Sequence, residues 1–398
     1  MATENKKYIP ALRFPEFQND GEWKCVIIGD IINTINPPKK LQSSEYKKKG
    51  AFPIVDQSAS YIAGYSDNGD AVIDNNGYNY IVFGDHTCSL KLIDFPFIQG
   101  ADGIKIFKSK ITEVLTEYLY QYIFAHPINS KEYKRHFSDL KEKLLLYPTK
   151  ACEQKKIADC LSSLDKYIDA TKRKLELLKE HKKGLMQKLF PAKGKTLPEL
   201  RFPEFSHREN WNIVSLGEMT EVVNKRNKSN RTLPVYSINN VDGFIPQSQQ
   251  FDGMDSEARG YDISAYKIIS KHTFAYNPAR INVGSIGYSG DLKDILISSL
   301  YVCFKTTDIV DDTFLMCFFN SHIFNQAVEC NVEGGIRSYL FYENFSRIKL
   351  AIPKLDEQKR IASCIMSIDC EIKKINDKID LLETHKKGLQ QQLFPRFK

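Results

Sequence analysis

Apolar side chains recur at a regular spacing in two stretches of the chain, one near its middle and one at its C-terminal end. Steps of three and four residues alternate in both, which gives the 3.5-residue period of a coiled-coil seam. A helix cannot cover such a stripe alone, so we expect the two helices to pack on each other. The predicted seam residues are Ile157, Leu161, Leu164, Ile168, Leu175, Leu178 and Leu185, followed in the second stretch by Ile361, Ile365, Ile368, Ile372, Ile375, Ile379, Leu382 and Leu389.

The two stretches are copies of one sequence. Residues 153–191 (EQKKIADCLSSLDKYIDATKRKLELLKEHKKGLMQKLFP) align without a gap with residues 357–395 (EQKRIASCIMSIDCEIKKINDKIDLLETHKKGLQQQLFP), at a constant offset of 204. Polar residues interrupt the seam at Thr171 and Lys182 in the first copy and at Lys386 in the second. Self-similarity of this kind indicates an internal repeat.

A shorter phrase, LRFPEF, opens each half of the chain at residues 12–17 and 200–205, which are 188 positions apart. The only tryptophans, Trp23 and Trp211, keep the same offset. Proline within the phrase argues against an interior position in a helix or strand. We expect its phenylalanines to anchor the start of each half in a core, and these are Phe14, Phe17, Phe202 and Phe205.

Between phrase and helix, each half carries a segment with the same order of predicted elements but a different sequence. A buried strand and a polar loop (80–91 and 273–287) precede a strand and a helix (103–126 and 300–328), and an extended run ends in proline (143–148 and 348–353). We therefore predict an α+β fold with two similar globular domains of mixed β-sheet and helices. The predicted domains are residues 1–150 and 196–355, and the helices occupy 151–195 and 356–398.

Composition excludes several classes of protein. Hydrophobic residues make up 42% of the chain and charged ones 26%, as in ordinary globular proteins. No apolar run approaches the roughly 20 residues that span a bilayer, and the N-terminal residues lack the apolar core of a signal peptide. We therefore expect a cytoplasmic location without membrane contact. The nine cysteines form no C-x-x-C pair and the eight histidines no metal-binding spacing, so we expect neither disulfides nor a metal site.

The net charge of +7 is concentrated in the helical stretches. Residues 151–195 contain twelve Lys and Arg against six Asp and Glu, and residues 356–398 contain nine against seven. The remainder of the chain is close to neutral, so overall basicity says little about it. Any nucleic-acid contact must depend on local clusters.

Catalytic motifs are missing from the sequence. Asn36, Pro37 and Pro38 resemble the start of an amino-methyltransferase tetrapeptide, but Lys39 stands where that chemistry places an aromatic ring. The glycines of GSIGYSG, at residues 284–290, do not follow the G-x-G-x-x-G spacing of a nucleotide-binding turn. We expect no catalytic residue in this chain.

Polar loops and basic clusters supply candidates for DNA contact. Lys and Arg neutralise phosphates, while hydrogen-bonding side chains recognise base edges. In the first domain the candidates are Lys39, Lys47, Gln57, Ser58, Tyr61, Asp85, His86, Thr87, Ser89 and Lys91. In the second domain they are Lys225, Arg226, Arg231, Ser237, Asn239, Asn240, Tyr276, Asn277, Arg280, Asn282, Arg337, Ser338 and Tyr339.

Taken together, the duplicated LRFPEF, the duplicated helix ending in HKKGL…LFP and the loops FGDHT and YNPARINVGSIG resemble the DNA specificity subunit of type I restriction–modification systems. The resemblance covers essentially the whole chain. It implies two target-recognition domains in inverted orientation, separated by two long helices that form an antiparallel coiled coil with pseudo-twofold symmetry. Each domain would recognise one half of a bipartite, asymmetric site on double-stranded DNA, with the helices setting the spacing.

The same resemblance implies partners and a division of labour. Two methyltransferase (modification) subunits and, in the full complex, restriction/translocase subunits would bind this chain. S-adenosylmethionine, ATP and magnesium would belong to those partners, and this chain would hold no cofactor.

A second hypothesis stays open at this stage. The chain could be an adaptor with two protein-binding domains on a coiled-coil stalk and no role in DNA binding. Its polar and dissimilar loops favour DNA, because protein interfaces are enriched in aromatic residues at their centres.

Overall fold

The computed structural model describes residues 8–128, 135–240, 242–251, 253–332 and 339–395. These residues form two compact units. The first unit comprises the chain up to Arg173 together with the residues from Asn376 onwards, and the second comprises Lys174–Ile375. Each unit therefore contains one globular domain, the N-terminal part of one long helix and the C-terminal part of the other.

The first half of the chain contains eleven strands and four α-helices in its described residues. In order they are β1 (Lys24–Ile27), α1 (Ile28–Ile31), β2 (Ile32–Ile35), β3 (Lys40–Leu41), β4 (Phe52–Val55), β5 (Gly64–Ser66), β6 (Val72–Ile73), β7 (Tyr80–Gly84), β8 (Leu90–Ile93), β9 (Phe97–Gly100), β10 (Ile104–Ser109), α2 (Thr116–Ala125), α3 (Phe137–Glu142), β11 (Leu144–Tyr147) and α4 (Ala151–Leu189).

The second half repeats this order with some changes. Its elements are β12 (Asn212–Ser215), α5 (Leu216–Met219), β13 (Thr220–Val222), β14 (Val235–Asn239), β15 (Gly243–Pro246), α6 (Gln247–Gln250), β16 (Lys267–Ile269), β17 (Phe274–Tyr276), β18 (Ile286–Tyr288), β19 (Ile295–Ile297), β20 (Val302–Thr306), α7 (Asp312–Phe319), α8 (His322–Asn331), α9 (Tyr342–Arg347), β21 (Lys349–Ile352) and α10 (Leu355–Leu393).

The two domains share their sheet topology except for one additional strand in the first domain. An antiparallel sheet has the order β2-β10-β7-β8 in the first domain and β13-β20-β17-β18 in the second. A mixed sheet has the order β5-β4-β9-β6 and β15-β14-β19-β16, with β4–β9 and β14–β19 parallel; β3 joins β9 only in the first domain. The predicted mixed fold with an internal repeat is confirmed.

Most predicted elements are present, and one helix differs. The continuous apolar run YIVFG forms the fully buried strand β7, which pairs with β10 and β8. The helix predicted across residues 313–328 is instead two helices, α7 and α8. Ser321 causes the break, because its Oγ accepts a hydrogen bond from the backbone N–H of Phe324 at 3.2 Å and so caps a new helix.

Each domain core includes the end of a long helix. In the first unit Phe394, just beyond α10, packs against Tyr118 and Tyr122 with ring centroids 5.9 and 5.3 Å apart. In the second unit Phe190, just beyond α4, lies 5.3 Å from Phe314. The first domain is thereby attached to the C-terminal end of α10, and the second domain to the C-terminal end of α4.

The two long helices run antiparallel inside each unit. In the first unit Lys172 pairs with Glu383, and further along Asp165 pairs with Lys386, so residue numbers rise on one helix as they fall on the other. All predicted seam residues are buried or half-buried. None of the helices in the described ranges is long and apolar enough to cross a membrane.

The repeated phrase joins the two helices to each other. In the first unit the Arg13 guanidinium donates two hydrogen bonds of 2.7 Å to the Glu153 carboxylate at the start of α4. The backbone N–H of Leu12 donates to the carbonyl of Gln392 near the end of α10 at 2.9 Å. The phrase thus clasps the beginning of one helix to the end of the other, and we call this set of contacts the clasp.

The second unit repeats the clasp with equivalent residues. Arg201 donates two hydrogen bonds of 2.8 Å to Glu357 at the start of α10, and Leu200 N–H donates to Lys188 O in α4 at 2.9 Å. The two carboxylates are each 1% exposed. A bidentate guanidinium–carboxylate pair satisfies both charges in such surroundings.

Glutamines beside these carboxylates tie the helices to their domains. The Gln154 Oε1 accepts from the backbone N–H of Leu115 at 2.9 Å, and its Nε2 donates to two carbonyls. Gln358 makes the same bonds in the second unit, starting with Asp311 N–H at 2.8 Å. Both residues of the dipeptide EQ at the start of each helix therefore have a structural role. The glutamate pairs with the arginine of the repeated phrase, and the glutamine bonds the helix to its domain.

Replacing Arg13 by methionine should destabilise the protein strongly, because it leaves the Glu153 carboxylate buried without its partner. Breaking a buried ion pair in this way costs about 3–5 kcal/mol. Urea unfolding followed by circular dichroism measures the change. The control is Lys156→Met, which removes a half-exposed pair with Glu16 and should cost at most about 1 kcal/mol. Equal losses in the two variants would contradict the structural role of the clasp.

Candidate nucleic-acid interface

Three loops of the first domain meet at the ends of strands β4, β7 and β9. The backbone N–H of Asp85, after β7, donates to Gly103 O, after β9, at 2.7 Å. The Thr87 hydroxyl donates to the carbonyl of Gln57, after β4, at 3.3 Å. Polar residues that are far apart in sequence are thereby brought to one edge of the domain.

Glycines allow these loops to approach closely. A Cβ at Gly84 would overlap Thr87 Oγ1 and Ser89 Oγ, and one at Gly103 would lie 3.0 Å from Gln57 Nε2. Gly103 also has φ +91°, in the left-handed region that favours glycine. The Gln57 Oε1 is buried without a hydrogen-bond partner among the described residues. The edge therefore holds a positioned side chain with an unused acceptor.

Two predicted residues of this domain are buried and shape the loops. The Lys91 ammonium donates to the carbonyls of Asp56 and Ser60 at 2.7 and 2.5 Å, and burial lowers the pKa of Lys91. The Asp85 carboxylate accepts from the backbone N–H of Phe137 at 2.9 Å and so fixes the start of α3. Both side chains hold the loops in place from inside.

The other predicted residues of the first domain lie nearer the surface. Ser58, Thr87 and Lys39 are exposed, while His86 and Ser89 are half-buried. Tyr61 is exposed and its hydroxyl donates to Leu92 O; partial loss of solvent around the group raises the pKa of Tyr61 to about 12. Lys47 forms an exposed ion pair of 2.8 Å with Asp67.

Equivalent loops meet in the second domain, after β14, β17 and β19. The loop after β17 is closed by hydrogen bonds from Asn277 N–H to Ser285 O at 3.0 Å and from Ala279 N–H to Asn277 Oδ1 at 3.0 Å. The Ser285 hydroxyl donates to Ile238 O, near the end of β14, at 3.4 Å. A Cβ at Gly284 would lie 3.7 Å from the Cβ of Asn240, so the first two loops are in contact.

Exposed and buried candidates alternate along these loops. Asn240, Arg280 and Asn282 are exposed. Tyr276 is fully buried, and its ring stacks on Phe345 at 5.1 Å; burial raises its pKa. The described residues thus separate side chains that face outward from one that belongs to the core.

Asn239 and Ser237 belong to the strand that carries one of these loops. Asn239 accepts from Asp242 N–H at 2.5 Å, which tightens the turn after β14. Ser237 is buried within the strand.

A further segment joins this edge. The backbone N–H of Leu340 donates to Pro278 O at 3.0 Å, which places the half-buried Tyr339 beside the loop after β17. The rings of Tyr339 and Phe341 stack at 5.6 Å. Arg337 and Ser338 lie outside the described residues.

The basic cluster of the second domain lies beside β16. Lys225 O accepts from Ile268 N–H at 2.7 Å, and Arg226 forms a β-bridge with Lys267, while both basic side chains are exposed. Arg231 forms a half-exposed ion pair of 3.0 Å with Asp294. Exposed side chains of this kind suit contact with phosphates.

Sequence reasoning missed residues that the fold adds to both edges. Tyr301 accepts from Ile238 N–H at 3.4 Å, and Arg280 lies close enough to influence it: burial raises the pKa of Tyr301, and the Arg280 charge opposes that rise. In the first domain Asp102 joins the edge by pairing at 2.9 Å with Lys40, which belongs to the same basic run of the sequence as Lys39 and Lys47. Only the strand order, which places the loop after β9 or β19 beside the others, reveals these residues.

Within the part of the chain that the structure describes, no group of three or more His, Cys, Asp and Glu side chains could hold a metal ion.

Comparison with known proteins gives a consistent result. The model of the type I restriction modification DNA specificity domain matches residues 20–180 and 208–384. A type I restriction enzyme MjaVIII specificity subunit from Methanocaldococcus jannaschii is 24% identical, over 98% of this chain and 95% of its own length. A putative type I restriction enzyme MjaX specificity subunit from the same organism is 25% identical, over 69% of this chain and 60% of its own length.

A solved structure has the same fold. The S subunit of a type I restriction-modification system from M. genitalium superposes with a TM-score of 0.64 at 16% identity, covering 98% of this chain and 100% of that one.

Gly84→Ala should destabilise the first domain, because the new methyl group must displace Thr87 and Ser89. Overpacking of this kind costs about 1–3 kcal/mol, measured as a fall in the free energy of unfolding. The matched control is Gly69→Ala, where a Cβ would meet nothing within 4 Å and the change should be close to neutral. A neutral result at Gly84 would contradict the close approach of these loops.

Proposed function

Because this chain belongs to the family of type I restriction modification DNA specificity proteins, we propose that it recognises a bipartite, asymmetric site on double-stranded DNA. It is a specificity subunit that recognises DNA, and each of its domains would bind one half-site. One observation carries this proposal: the same three loops meet on the same sheet topology in both domains, but they present different side chains. A shared scaffold with unlike loops suits two different half-sites.

Polar side chains that are exposed or half-buried at the two loop edges would recognise the bases. In the first domain these are Gln57, Ser58, His86, Thr87 and Ser89. In the second domain they are Asn240, Asn277, Arg280, Asn282 and Tyr339. Arginine pairs with guanine and asparagine or glutamine with adenine through two hydrogen bonds each.

Exposed cations at the margins would contact phosphates. In the first domain the proposed phosphate contacts are made by Lys39 and Lys47. In the second domain they are made by Lys225, Arg226 and Arg231. Phosphate contacts fix the position of the protein on the duplex, so that base contacts meet the correct step. The buried Asp85, Lys91, Ser237 and Tyr276 would position the loops without touching DNA.

The paired helices would set the distance between half-sites. Each helix has 39 residues, which corresponds to about 58 Å at a rise of 1.5 Å per residue. A rigid pair of helices suits this task, since a flexible linker would permit many distances. The proposal therefore includes a fixed spacer between the two half-sites.

The catalytic steps would belong to partner subunits. We propose that two methyltransferase subunits bind this chain, and that restriction/translocase subunits also bind it in the full complex. S-adenosylmethionine, ATP and magnesium would bind to those partners. A subunit that acts on chromosomal DNA works in the cytoplasm, and we locate the chain there on this ground.

Arg280→Ala should weaken binding to cognate DNA by about 1–3 kcal/mol and relax specificity at one base pair of one half-site. Lys225→Ala provides the comparison. Loss of a phosphate contact should weaken binding to all DNA sequences equally, and it should reduce the slope of log K against log salt concentration by about one. Binding to a library of single-base variants, measured at several salt concentrations, separates the two results. Uniform weakening by Arg280→Ala would remove it from base recognition.

Exchange of residues 25–147 for the same segment of another family member should change one half-site and leave the other intact. The reason is that each set of three loops lies within a single domain. Sequencing of DNA selected by the chimaera from a random pool gives the answer. Changes in both half-sites, or an absence of DNA selection by the parent chain, would contradict the proposal; the second result would favour a protein-binding adaptor.

A further inference from the structure

Two lysines interrupt the apolar seam between the long helices, and each pairs with an aspartate that lies beside the seam on the other helix. In the second unit the Lys182 ammonium of α4 lies 2.5 Å from the Asp369 carboxylate of α10. In the first unit Lys386 of α10 pairs with Asp165 of α4. The Lys386 and Asp165 side chains are 9% and 32% exposed, whereas the Lys182 and Asp369 side chains are 21% and 49% exposed. These four residues are called the seam charges below.

The seam charges obey the internal repeat. Asp165 and Asp369 are separated by the offset of 204 that relates the two helices, and so are Lys182 and Lys386. Each helix therefore carries one aspartate and one lysine, and antiparallel pairing matches each lysine with the aspartate of the other helix. The copies differ at many exposed positions between these residues, yet they keep both charges.

The Lys386–Asp165 pair of the first unit is closely packed. The Lys386 ammonium lies 4.0 Å above the centre of the Phe124 ring. The Gln121 Nε2 donates to Asp165 Oδ2 at 3.3 Å and to Ser162 Oγ at 3.1 Å. The pair is thus joined to helix α2 of the globular domain as well as to both long helices.

The Lys182–Asp369 pair of the second unit has a different neighbour. Cys317 of α7 occupies the place of Gln121, since both lie six residues beyond the backbone N–H that bonds Gln154 or Gln358. Cys317 is 6% exposed and is subject to the charges of Lys182 and Asp369. The two pairs therefore share their helix positions but not their contact with the domain.

Such pairs are poor devices for stability alone. Replacing a buried ion pair such as Lys386–Asp165 by apolar residues is often neutral or stabilising. A pair as exposed as Lys182–Asp369 contributes at most about 1 kcal/mol. Polar residues in a coiled-coil seam are best known for specifying alignment and partner. The retention of lysine in an apolar seam is therefore better explained by discrimination between alternative pairings.

The alternatives to the observed pairing are all unfavourable for these charges. Parallel pairing of the two copies would place Lys182 against Lys386 and Asp165 against Asp369. Sliding one helix by a heptad would move each partner by about 10 Å along the axis, which leaves four charges unpaired. Only one direction and one register satisfy all four residues.

We propose that the Lys182–Asp369 and Lys386–Asp165 pairs select the antiparallel direction and the register of the two helices, and thereby determine the spacer length that the protein accepts between half-sites. This inference rests on the proposed function, because spacer length has meaning only for a bipartite DNA site. The four residues act as positioning residues for DNA recognition, at a distance from the loops that contact bases.

The test is a charge reversal in α4 of the full-length chain. Asp165→Lys together with Lys182→Asp puts like charges together at both sites, and adding Asp369→Lys with Lys386→Asp restores opposite charges. Binding is measured on duplexes that carry both half-sites with spacers of varied length. We expect the double variant to lose at least about tenfold in affinity for the preferred spacer, and the quadruple variant to regain it.

A variant without the four charges distinguishes a loss of register from unfolding. Asp165→Asn, Lys182→Met, Asp369→Asn and Lys386→Met remove all four charges at similar side-chain volume. We expect this chain to fold with an unchanged or higher melting temperature, but to accept additional spacer lengths. If it keeps the single spacer of the parent chain, the clasps alone set the register and the inference is wrong.

An exposed pair supplies the matched control. Lys172 and Glu383 are each half-exposed, and the repeat does not duplicate their pairing, because Asn376 stands at the position equivalent to Lys172. Lys172→Glu with Glu383→Lys should leave both stability and spacer choice unchanged. A parent chain that binds all spacers equally would instead refute the proposed function, which separates that failure from failure of the inference.

Discussion

The buried pairing of an arginine from the repeated phrase with a glutamate at the start of a long helix is the interaction on which each half depends. Arg13 with Glu153, and Arg201 with Glu357, bring together a chain start, a helix start and the end of the opposite helix. Charges in such surroundings persist only when they are fully paired and hydrogen-bonded. This constraint explains why LRFPEF and EQ are both retained twice, although the segments between them diverge.

The clasp also separates what must stay constant from what can vary. It lies on the helices and at the base of each domain, while the three loops lie at the ends of β4, β7 and β9 or of their counterparts. Loop residues such as Gln57 and Arg280 can therefore change without disturbing the clasp. On the proposed function, changes in these loops would alter the DNA sequence recognised and leave the helices and clasps unchanged.

Much of this architecture follows from the sequence, because repeats and heptads are visible without a structure. The seam residues, the strand YIVFG and the fold class required only periodicity and self-similarity. The break at Ser321 was missed, since apolar spacing continues across it and capping depends on one hydroxyl. Burial of Asp85, Lys91 and Tyr276 was equally invisible, because a polar residue in a loop has the same sequence pattern whether it supports the loop or faces outward. Tyr301 joins the edge only through strand order.

The central proposal is that the two unlike domains of this chain each recognise one half of a bipartite DNA site. It is tested most directly by mapping methylated adenines in DNA from cells that express this chain with the proposed methyltransferase partner. The account predicts one asymmetric motif made of two different short sequences, separated by a constant number of unspecified base pairs. A continuous or symmetric motif, or two half-motifs at variable separation, would contradict it.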